Sequence, residues 1–265
     1  LDGMIIKYGV DGEVEWGKAV GGSDDEQITC IIETRDGGYI VGGYFYSNTI
    51  DLENGVVINN NGESSDGMII KYDSEGNVEW GKAVGGSSSD QIICIIETRE
   101  GGYLVGGNFR SEHIFLENGI NLYNTSDSDP YGGEKYYNGM LIKYNNNGEA
   151  EWGKVVGGSS SDYINCIIET REGGYLVGGY FNSSSIDLGN GKVLNNNRTS
   201  YLDGMIIKYG VDGEVEWGKV VGGDQGDQIT SVLETIDGGY VVGGAFKNVK
   251  LENGIELNGE ISIIK

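Results

Sequence analysis

Short runs rich in Ile, Val and Tyr, bounded by Gly, Asp, Ser or Asn, recur along the whole chain. Ile28–Thr34 and Met68–Tyr72 are typical examples. Runs of this length with β-branched and aromatic residues are characteristic of β-strands. No window shows the 3.6-residue period of an amphipathic helix. The pattern therefore predicts an all-β protein.

The runs belong to one unit that is written four times. Gly-Met-Ile-Ile-Lys-Tyr starts at Gly3, Gly67 and Gly204, and Gly-Met-Leu-Ile-Lys-Tyr starts at Gly139. Each copy is followed by Glu-Trp-Gly-Lys, with tryptophans 64, 72 and 65 residues apart at Trp16, Trp80, Trp152 and Trp217. A fixed period of this kind indicates a repeat architecture. We expect a single domain, 1–265, with repeats at about 3–66, 67–138, 139–203 and 204–265.

The composition of the unit predicts how the strands are joined and covered. Gly makes up 48 of the 265 residues, and the run Asp36-Gly37-Gly38 between two apolar segments is typical of a hairpin turn. Strands such as Cys94–Ile96 are apolar on both faces, so both faces need cover. Four-stranded antiparallel sheets that repeat and cover one another describe a β-propeller. The predicted fold is a β-propeller of four repeats of about 65 residues.

The run Asp66–Gly86 followed by Asp90–Phe109 resembles the bacterial β-propeller repeats of secreted and surface proteins. It is similar, more distantly, to the blades of WD-type propellers. The resemblance covers all four repeats but not the segments such as Tyr46–Ser65 between them. It implies a fold and an extracellular or cell-surface setting, and no reaction. The strand order that it implies assigns strand A to Ile92–Thr98, strand B to Gly102–Phe109, strand C to Met140–Tyr144 and strand D to Ala150–Val156.

With this strand order, the sequence contains one more strand C than it contains strands A, B or D. If the ring closes within one chain, the N-terminal segment Val14–Val20 supplies strand D of the last blade, and either Met4–Tyr8 or Ile261–Lys265 is surplus. The surplus strand is then frayed, pairs beside its twin, or is offered to a neighbouring molecule by strand addition. Another interpretation is that the chain is an excerpt of a longer propeller.

Each repeat carries a hairpin-like insertion between strands B and C. In a meander the D-to-A and B-to-C connections lie at the same end of the sheet, so the insertions share one surface, and such loops commonly carry binding residues. The second insertion is the longest and holds the single His of the chain. Its alternative role is a variable loop that binds nothing. The four insertions are Tyr46–Ser65, Arg110–Asn138, Asn182–Leu202 and Lys247–Glu260, and the candidate ligand-binding residues are His113, Tyr123, Tyr131, Tyr136 and Tyr137.

A second candidate site is acidic. One carboxylate stands just before strand A in every repeat, and four symmetric carboxylates could bind a hard cation such as Ca²⁺, which prefers oxygen ligands. The alternative is that each carboxylate accepts backbone N–H groups within its own turn. The candidate metal ligands are Glu26, Asp90, Asp162 and Asp227.

Charge and catalytic composition narrow the function classes. The formal net charge is −23, so nucleic acid and anionic membranes are poor partners. No apolar run approaches the roughly 20 residues of a membrane-spanning helix. One His and three Cys without a Cys-x-x-Cys motif give little support to catalysis or zinc binding, although a glycosidase-like carboxylate pair stays open.

These observations predict a non-enzymatic binding or adhesion module of a bacterial surface or secreted protein. Its ligand is a glycan or a protein on the insertion face, and it needs no cofactor, with Ca²⁺ as the one option. The alternative is a self-assembling structural subunit that uses Met4–Tyr8 or Ile261–Lys265 for strand exchange between copies.

Overall fold

The computed structural model describes residues 1–130, 132–196, 201–223, 225–251, 255–257 and 261–264. In this part of the chain almost all regular structure is β-strand, and the helical elements are the two short 3₁₀ turns Glu53–Gly55 and Glu117–Gly119. The strands are β1 (Gly3–Tyr8), β2 (Val14–Val20), β3 (Glu26–Glu33), β4 (Tyr39–Phe45), β5 (Thr49–Asp51), β6 (Val57–Asn59), β7 (Asp66–Tyr72), β8 (Val78–Val84), β9 (Asp90–Glu97), β10 (Tyr103–Phe109), β11 (His113–Phe115), β12 (Asn121–Tyr123), β13 (Asn138–Tyr144), β14 (Ala150–Val156), β15 (Asp162–Glu169), β16 (Tyr175–Phe181), β17 (Ser185–Asp187), β18 (Val193–Asn195), β19 (Asp203–Tyr209), β20 (Val215–Val221), β21 (Gln228–Glu234), β22 (Tyr240–Ala245), β23 (Val249–Lys250), β24 (Glu256–Leu257) and β25 (Ile261–Ile264).

Three sheets contain four antiparallel strands each. Their strand orders are β3-β4-β7-β8, β9-β10-β13-β14 and β15-β16-β19-β20, and a three-stranded sheet, β21-β22-β25, follows. Each four-stranded sheet joins the A and B strands of one sequence repeat to the C and D strands of the next. The two-stranded hairpins β5–β6, β11–β12, β17–β18 and β23–β24 lie between strands B and C. The all-β class, the four-stranded antiparallel sheets and the insertions between strands B and C are thus confirmed.

The predicted turns form where glycine permits them. In the turn between β3 and β4, the backbone N–H of Thr34 donates to the carbonyl of Gly38 over 2.9 Å, and Gly37 has a φ of 84°. This left-handed conformation is costly for a residue with a Cβ atom. Strand A begins earlier than predicted, at Asp90 instead of Ile92, because its first residues continue the ladder with β10.

The N-terminal strands β1 and β2 form a sheet of their own among the described strands. Among the strands that the structure describes, β2 pairs with β1 in a two-stranded sheet, and the last sheet ends at β25. The completion of the last sheet by Val14–Val20 stays a prediction. Among the described strands, β22 pairs with β25 on the edge that an incoming β1–β2 pair would need. Of the predicted surplus strand Ile261–Lys265, Lys265 lies outside the described residues.

The chain forms two compact units, Leu1–Tyr123 with Ile142–Gly153 and Asn124–Leu141 with Lys154–Lys265. In the first unit, one core cluster joins Ile5 and Val20 of the N-terminal sheet to Met68 and Ile70 of β7, and the hairpin residue Ile50 completes it. These apolar groups lie between sheets, where strands covered on both faces must be apolar.

Glycine allows the close approach of consecutive sheets within the first unit. A Cβ atom added at Gly42 of β4 would lie 2.6 Å from Ile92 Cγ2 and 2.9 Å from Ile95 Cδ1, both of β9. The missing side chain leaves room for these isoleucines.

The second unit repeats this packing between its own sheets. A Cβ atom at Gly178 of β16 would lie 2.8 Å from Ile229 Cγ2 of β21. Ile229 belongs to a core cluster with Leu176, Val221 and Val232. Equivalent glycines therefore perform the same packing role in both units.

Candidate functional site

The second insertion folds into the hairpin β11–β12. Its turn is built by Asn118 and Gly119, which adopt φ values of 62° and 75°, and the backbone N–H of Leu116 donates to the carbonyl of Ile120 over 2.8 Å. Asn and Gly are the residues that reach this conformation at least cost. The two central side chains of the hairpin, Ile114 and Leu122, are buried.

A glycine on β14 lets this hairpin dock. A Cβ atom added at Gly153 would lie 2.8 Å from Cδ2 of Leu122 and 3.3 Å from Cγ2 of Ile120. The hairpin therefore lies directly on the strand, and this contact covers its apolar side. Its other side is left for solvent.

The outward face of β11–β12 is aromatic. Because side chains alternate along a strand, the residues that flank Ile114 and Leu122 point together to the other side. His113 pairs with Tyr123 and Phe115 pairs with Asn121. The His113 and Phe115 ring centroids are 4.3 Å apart, His113 is half-buried, and Phe115 and Tyr123 are exposed. We call His113, Phe115 and Tyr123 the aromatic face.

Two of the other insertions, β5–β6 and β17–β18, lack such a surface at equivalent positions. Their anchors Ile50 and Ile58, or Ile186 and Leu194, are buried in the same way. The residues that correspond to the aromatic face, in the order His113, Phe115 and Tyr123, are Thr49, Asp51 and Asn59 in β5–β6, and Ser185, Asp187 and Asn195 in β17–β18. The anchors serve packing in all three hairpins, whereas the aromatic residues are particular to one.

A polar cleft borders the aromatic face. It has a volume of about 330 Å³, and Phe115 lines it together with Asn59, Asn61 and Tyr144. In the hairpin cleft, Lys82 Nζ donates to Glu117 Oε1 over 2.7 Å. An apolar ring beside amides and a fixed ion pair is an arrangement that can hold a polar ligand with one apolar face.

A separate cleft of about 730 Å³, at the opposite strand ends, is held together by its own charges. Lys71 is buried and lies 2.9 Å from Glu79 and 3.0 Å from Asp36, and the backbone N–H of Arg35 donates to Glu97 over 2.9 Å. The hydrogen bond from Thr34, with further donors from Gly38 and Lys71, lowers the pKa of Asp36 to about 2. These groups satisfy one another, so we assign this cleft a structural role.

The remaining predicted tyrosines are placed elsewhere. In the second unit, Tyr137 packs against Tyr163 with ring centroids 5.5 Å apart, and Tyr163 stacks on Tyr180 at 4.8 Å. Tyr136 contributes backbone, since its N–H donates to the carbonyl of Asp127 over 3.2 Å. Tyr131 lies outside the described residues.

Sequence reasoning found two members of the aromatic face, His113 and Tyr123, and missed Phe115. The available signal was the alternation His113-Ile114-Phe115, which predicts that the first and third side chains share a face. It was missed because the insertion was predicted to be hairpin-like without a strand assigned to His113–Phe115.

The predicted acidic residues cap the connection before strand A. Asp90 Oδ2 accepts the backbone N–H of Gly86 at 2.9 Å, and its Oδ1 accepts those of Arg110 and Ser111 at 3.0 and 3.1 Å. The hydroxyl of Ser111 donates to Oδ2 at 2.5 Å. One carboxylate thus joins the D-to-A and B-to-C connections, which confirms that these connections meet at one end of the sheet.

The same pattern recurs at the three equivalent carboxylates. Asp162 accepts from Gly158, Asn182 and Ser183. Asp227 accepts from Gly223 and Lys247, and Glu26 accepts from Gly22 and Ser47.

The structure places each of these carboxylates in its own turn. Across the residues that the structure covers, no three His, Cys, Asp or Glu side chains come together in a way that could hold a metal ion. The four-carboxylate Ca²⁺ site is therefore not found there, because the oxygens that it requires are directed at backbone N–H groups. Burial raises the pKa of Asp90 to about 7 and also raises the pKa of Asp162.

Comparisons with known proteins leave the function open. No family model matches the chain. Over 169 residues, 63% of this chain, it is 22% identical to the regulatory protein FlaEY of Caulobacter vibrioides, and this match spans 17% of that protein's length. A crystal structure of a protein of unknown function from Bacteroides caccae matches with a TM-score of 0.43 and 10% identity, covering 96% of this chain and 65% of that one.

One finding concerns membranes. Within the described part of the chain, no helix reaches the length and apolarity that crossing a lipid bilayer requires.

Proposed function

We propose that this chain is a non-enzymatic binding module of a bacterial surface or secreted protein, and that it holds a glycan on the aromatic face. Its four-stranded sheets are blades of a β-propeller, and the insertions are the binding loops. The close glycine-mediated packing of consecutive sheets within each unit supports the blade interpretation. The aromatic face itself carries the functional proposal.

The chemistry of the aromatic face favours a sugar. The C–H face of a pyranose packs on aromatic rings, and its hydroxyls bond to polar groups at the rim. Phe115 and Tyr123 supply exposed rings, while Asn59 and Asn61 supply amides in the adjoining cleft. The net charge of −23 disfavours sulfated or uronic-acid polymers. We therefore expect a neutral or amino-sugar glycan.

The chain supplies its own matched variant for testing this proposal. Replacing His113→Thr, Phe115→Asp and Tyr123→Asn gives β11–β12 the outward residues that β5–β6 already carries at the same positions. The triple variant should fold, because the anchors Ile114 and Leu122 are unchanged. Binding is measured on a glycan array and then by calorimetry with the soluble oligosaccharide that gives the strongest signal.

The expected result is binding by the wild type and at least a tenfold weaker affinity of the triple variant, with unchanged thermal unfolding. As a gain-of-function control, Ser185→His, Asp187→Phe and Asn195→Tyr transplant the aromatic face to β17–β18 and should add a second site. An array with no glycan bound, or equal affinity of the triple variant, would contradict the proposal. If a protein ligand binds through the same three residues, the ligand of the aromatic face is a protein and not a glycan.

A further inference from the structure

The sheet β1–β2 exposes a face that is covered in the complete sheets. Met4 is 74% exposed, whereas Met68, at the same position of β7, is fully buried. Ile6, Tyr8 and Val14 are exposed on the same side. An apolar face of this kind on an otherwise polar molecule marks an interaction surface.

The neighbouring strand β3 shows what is missing from this surface. Ile31 is 50% exposed, whereas Ile95, its counterpart in β9, is 4% exposed. Ile95 is covered because Gly42, on strand B of the preceding sheet, lies against it. An A–B strand pair that carries glycine at the position of Gly42 would therefore fit against Ile31.

The last sheet offers such a pair, and its glycine is open. Gly243 of β22 corresponds to Gly42, and among the described residues the nearest atom to an added Cβ atom there is Ser231 Cβ, at 3.9 Å. Among the described strands, the sheet β21-β22-β25 contains strands A, B and C, and the sheet β1–β2 contains strands C and D. Among them, each strand that one sheet does not contain is present in the other.

The sequence of β1 fits β22 better than that of β25 does. In the complete sheets, strand C carries Gly-Met opposite the last glycine of the strand B pair and the residue after it. An example is Gly67-Met68, which pairs with Tyr44 and Gly43. β1 has Gly3-Met4 at these positions, whereas β25 has Ile261-Ser262.

We propose that this chain self-associates head to tail: β1–β2 of one copy adds to β22 of a second copy, in place of β25. Among the described strands, β1–β2 and β21-β22-β25 are separate sheets, and in the proposed assembly the second copy supplies the complement. The exchange adds strand D to the last sheet and places Ile31 against Gly243. A contact between unlike surfaces generates rings or open chains, and strand addition supplies its backbone hydrogen bonds.

Analytical ultracentrifugation of the full chain over a wide concentration range tests the proposal. Wild type should form concentration-dependent oligomers, and Ile6→Lys should abolish them, because the charge would be buried at the contact. Ile6 is 42% exposed, and the matched control Val193→Lys introduces the same charge at a side chain that is 49% exposed on β18. This control should assemble like wild type. A wild type that stays monomeric at all concentrations, or an Ile6→Lys variant that assembles normally, overturns the proposal.

Disulfide trapping identifies the contacting strands. Val41 pairs with Ile70 in the first complete sheet, so Val242 of one copy should face Ile6 of another. An Ile6→Cys chain mixed with a Val242→Cys chain should form a covalent heterodimer on mild oxidation. Mixing Ile6→Cys with Tyr240→Cys, which is out of register, should form far less.

A chain that carries both Ile6→Cys and Val242→Cys separates exchange between copies from closure within one chain. Covalent oligomers support the proposal. A cross-linked monomer as the main product overturns it, because the occupant of β22 is then the same chain's own β1.

Discussion

At the scale of single residues, two buried carboxyl groups have opposite environments. Asp90 accepts four hydrogen bonds in its turn. Asp66 accepts two from Asn61 through Oδ2, and its Oδ1 is buried without a partner. Burial raises the pKa of Asp66 to about 6 from its ordinary value of 3.8. Asn138 occupies the position of Asp66 in the next repeat.

We expect Asp66→Asn to stabilise the protein and Asp90→Asn to destabilise it. At pH 8, Asp66→Asn removes a buried charge and should raise the free energy of unfolding by on the order of 2 kcal/mol. This gain should shrink as the pH falls through the folded pKa of about 6 and vanish below the unfolded value of 3.8, where the folded and unfolded states both hold the protonated group. At pH 4, below the raised pKa of Asp90, Asp90→Asn removes one of the acceptor oxygens without removing a buried charge, and should lower the free energy of unfolding by about 2 kcal/mol. Urea denaturation measures both, and effects of equal sign would refute this assignment.

At the scale of secondary-structure elements, the same Trp-Gly-Lys motif has different neighbours in different sheets. Gly153 of β14 lies against the hairpin β11–β12, whereas Gly17 of β2 has as its nearest neighbours Ile5 O at 3.8 Å and Ile6 Cγ1 at 3.9 Å. We expect Gly153→Val to lower the free energy of unfolding by about 2 kcal/mol, because overpacking forces the hairpin outward.

Gly17→Val is the matched control and should be near neutral, since β-branched residues suit an exposed strand. Thermal unfolding of dilute protein compares the two variants. Gly153→Val should also weaken glycan binding, because it displaces the aromatic face. Equal destabilisation by both substitutions would show that strand propensity, and not hairpin docking, determines the effect.

At the scale of the whole molecule, stability should be greatest in mildly acidic solution. The raised pKa values of Asp66, about 6, and Asp90, about 7, mean that the folded state binds these protons more tightly than the unfolded state. Their contribution to stability is complete below about pH 4 and is lost as the pH rises through 6 and 7. Asp36 acts oppositely, because its lowered pKa, about 2, contributes stability that is lost as the pH falls from 4 toward 2.

Urea midpoints measured from pH 2 to pH 8 should therefore pass through a maximum near pH 4 to 5. Added salt should raise the midpoint at pH 8, because it screens the repulsion within a chain of net charge −23. In the Asp90→Asn variant, the urea midpoint should fall less between pH 5 and pH 8 than it does in the wild type. A midpoint that rises steadily to pH 8 would contradict the assignment of these groups.

The sequence was sufficient for most local features and for part of the candidate site. Strands such as Ala150–Val156 were predicted with correct bounds, because apolar periodicity and turn glycines act over a few residues. The turn-capping alternative for Asp90 was also available from the repeat position. The aromatic face was predicted only in part, since the pairing of His113 with Tyr123 depends on a hairpin that the sequence pattern did not place residue by residue.

By itself, the sequence determined that the chain is all-β, where its strands and turns lie, and that its insertions separate strands B and C. These features depend on backbone conformation and side-chain alternation, which are local. Only the tertiary structure decided that β1 and β2 form a separate two-stranded sheet, and that Met4 and Ile31 stay exposed while Met68 and Ile95 are buried. Identical motifs cannot distinguish these cases, because exposure depends on whether a neighbouring sheet is present to cover them.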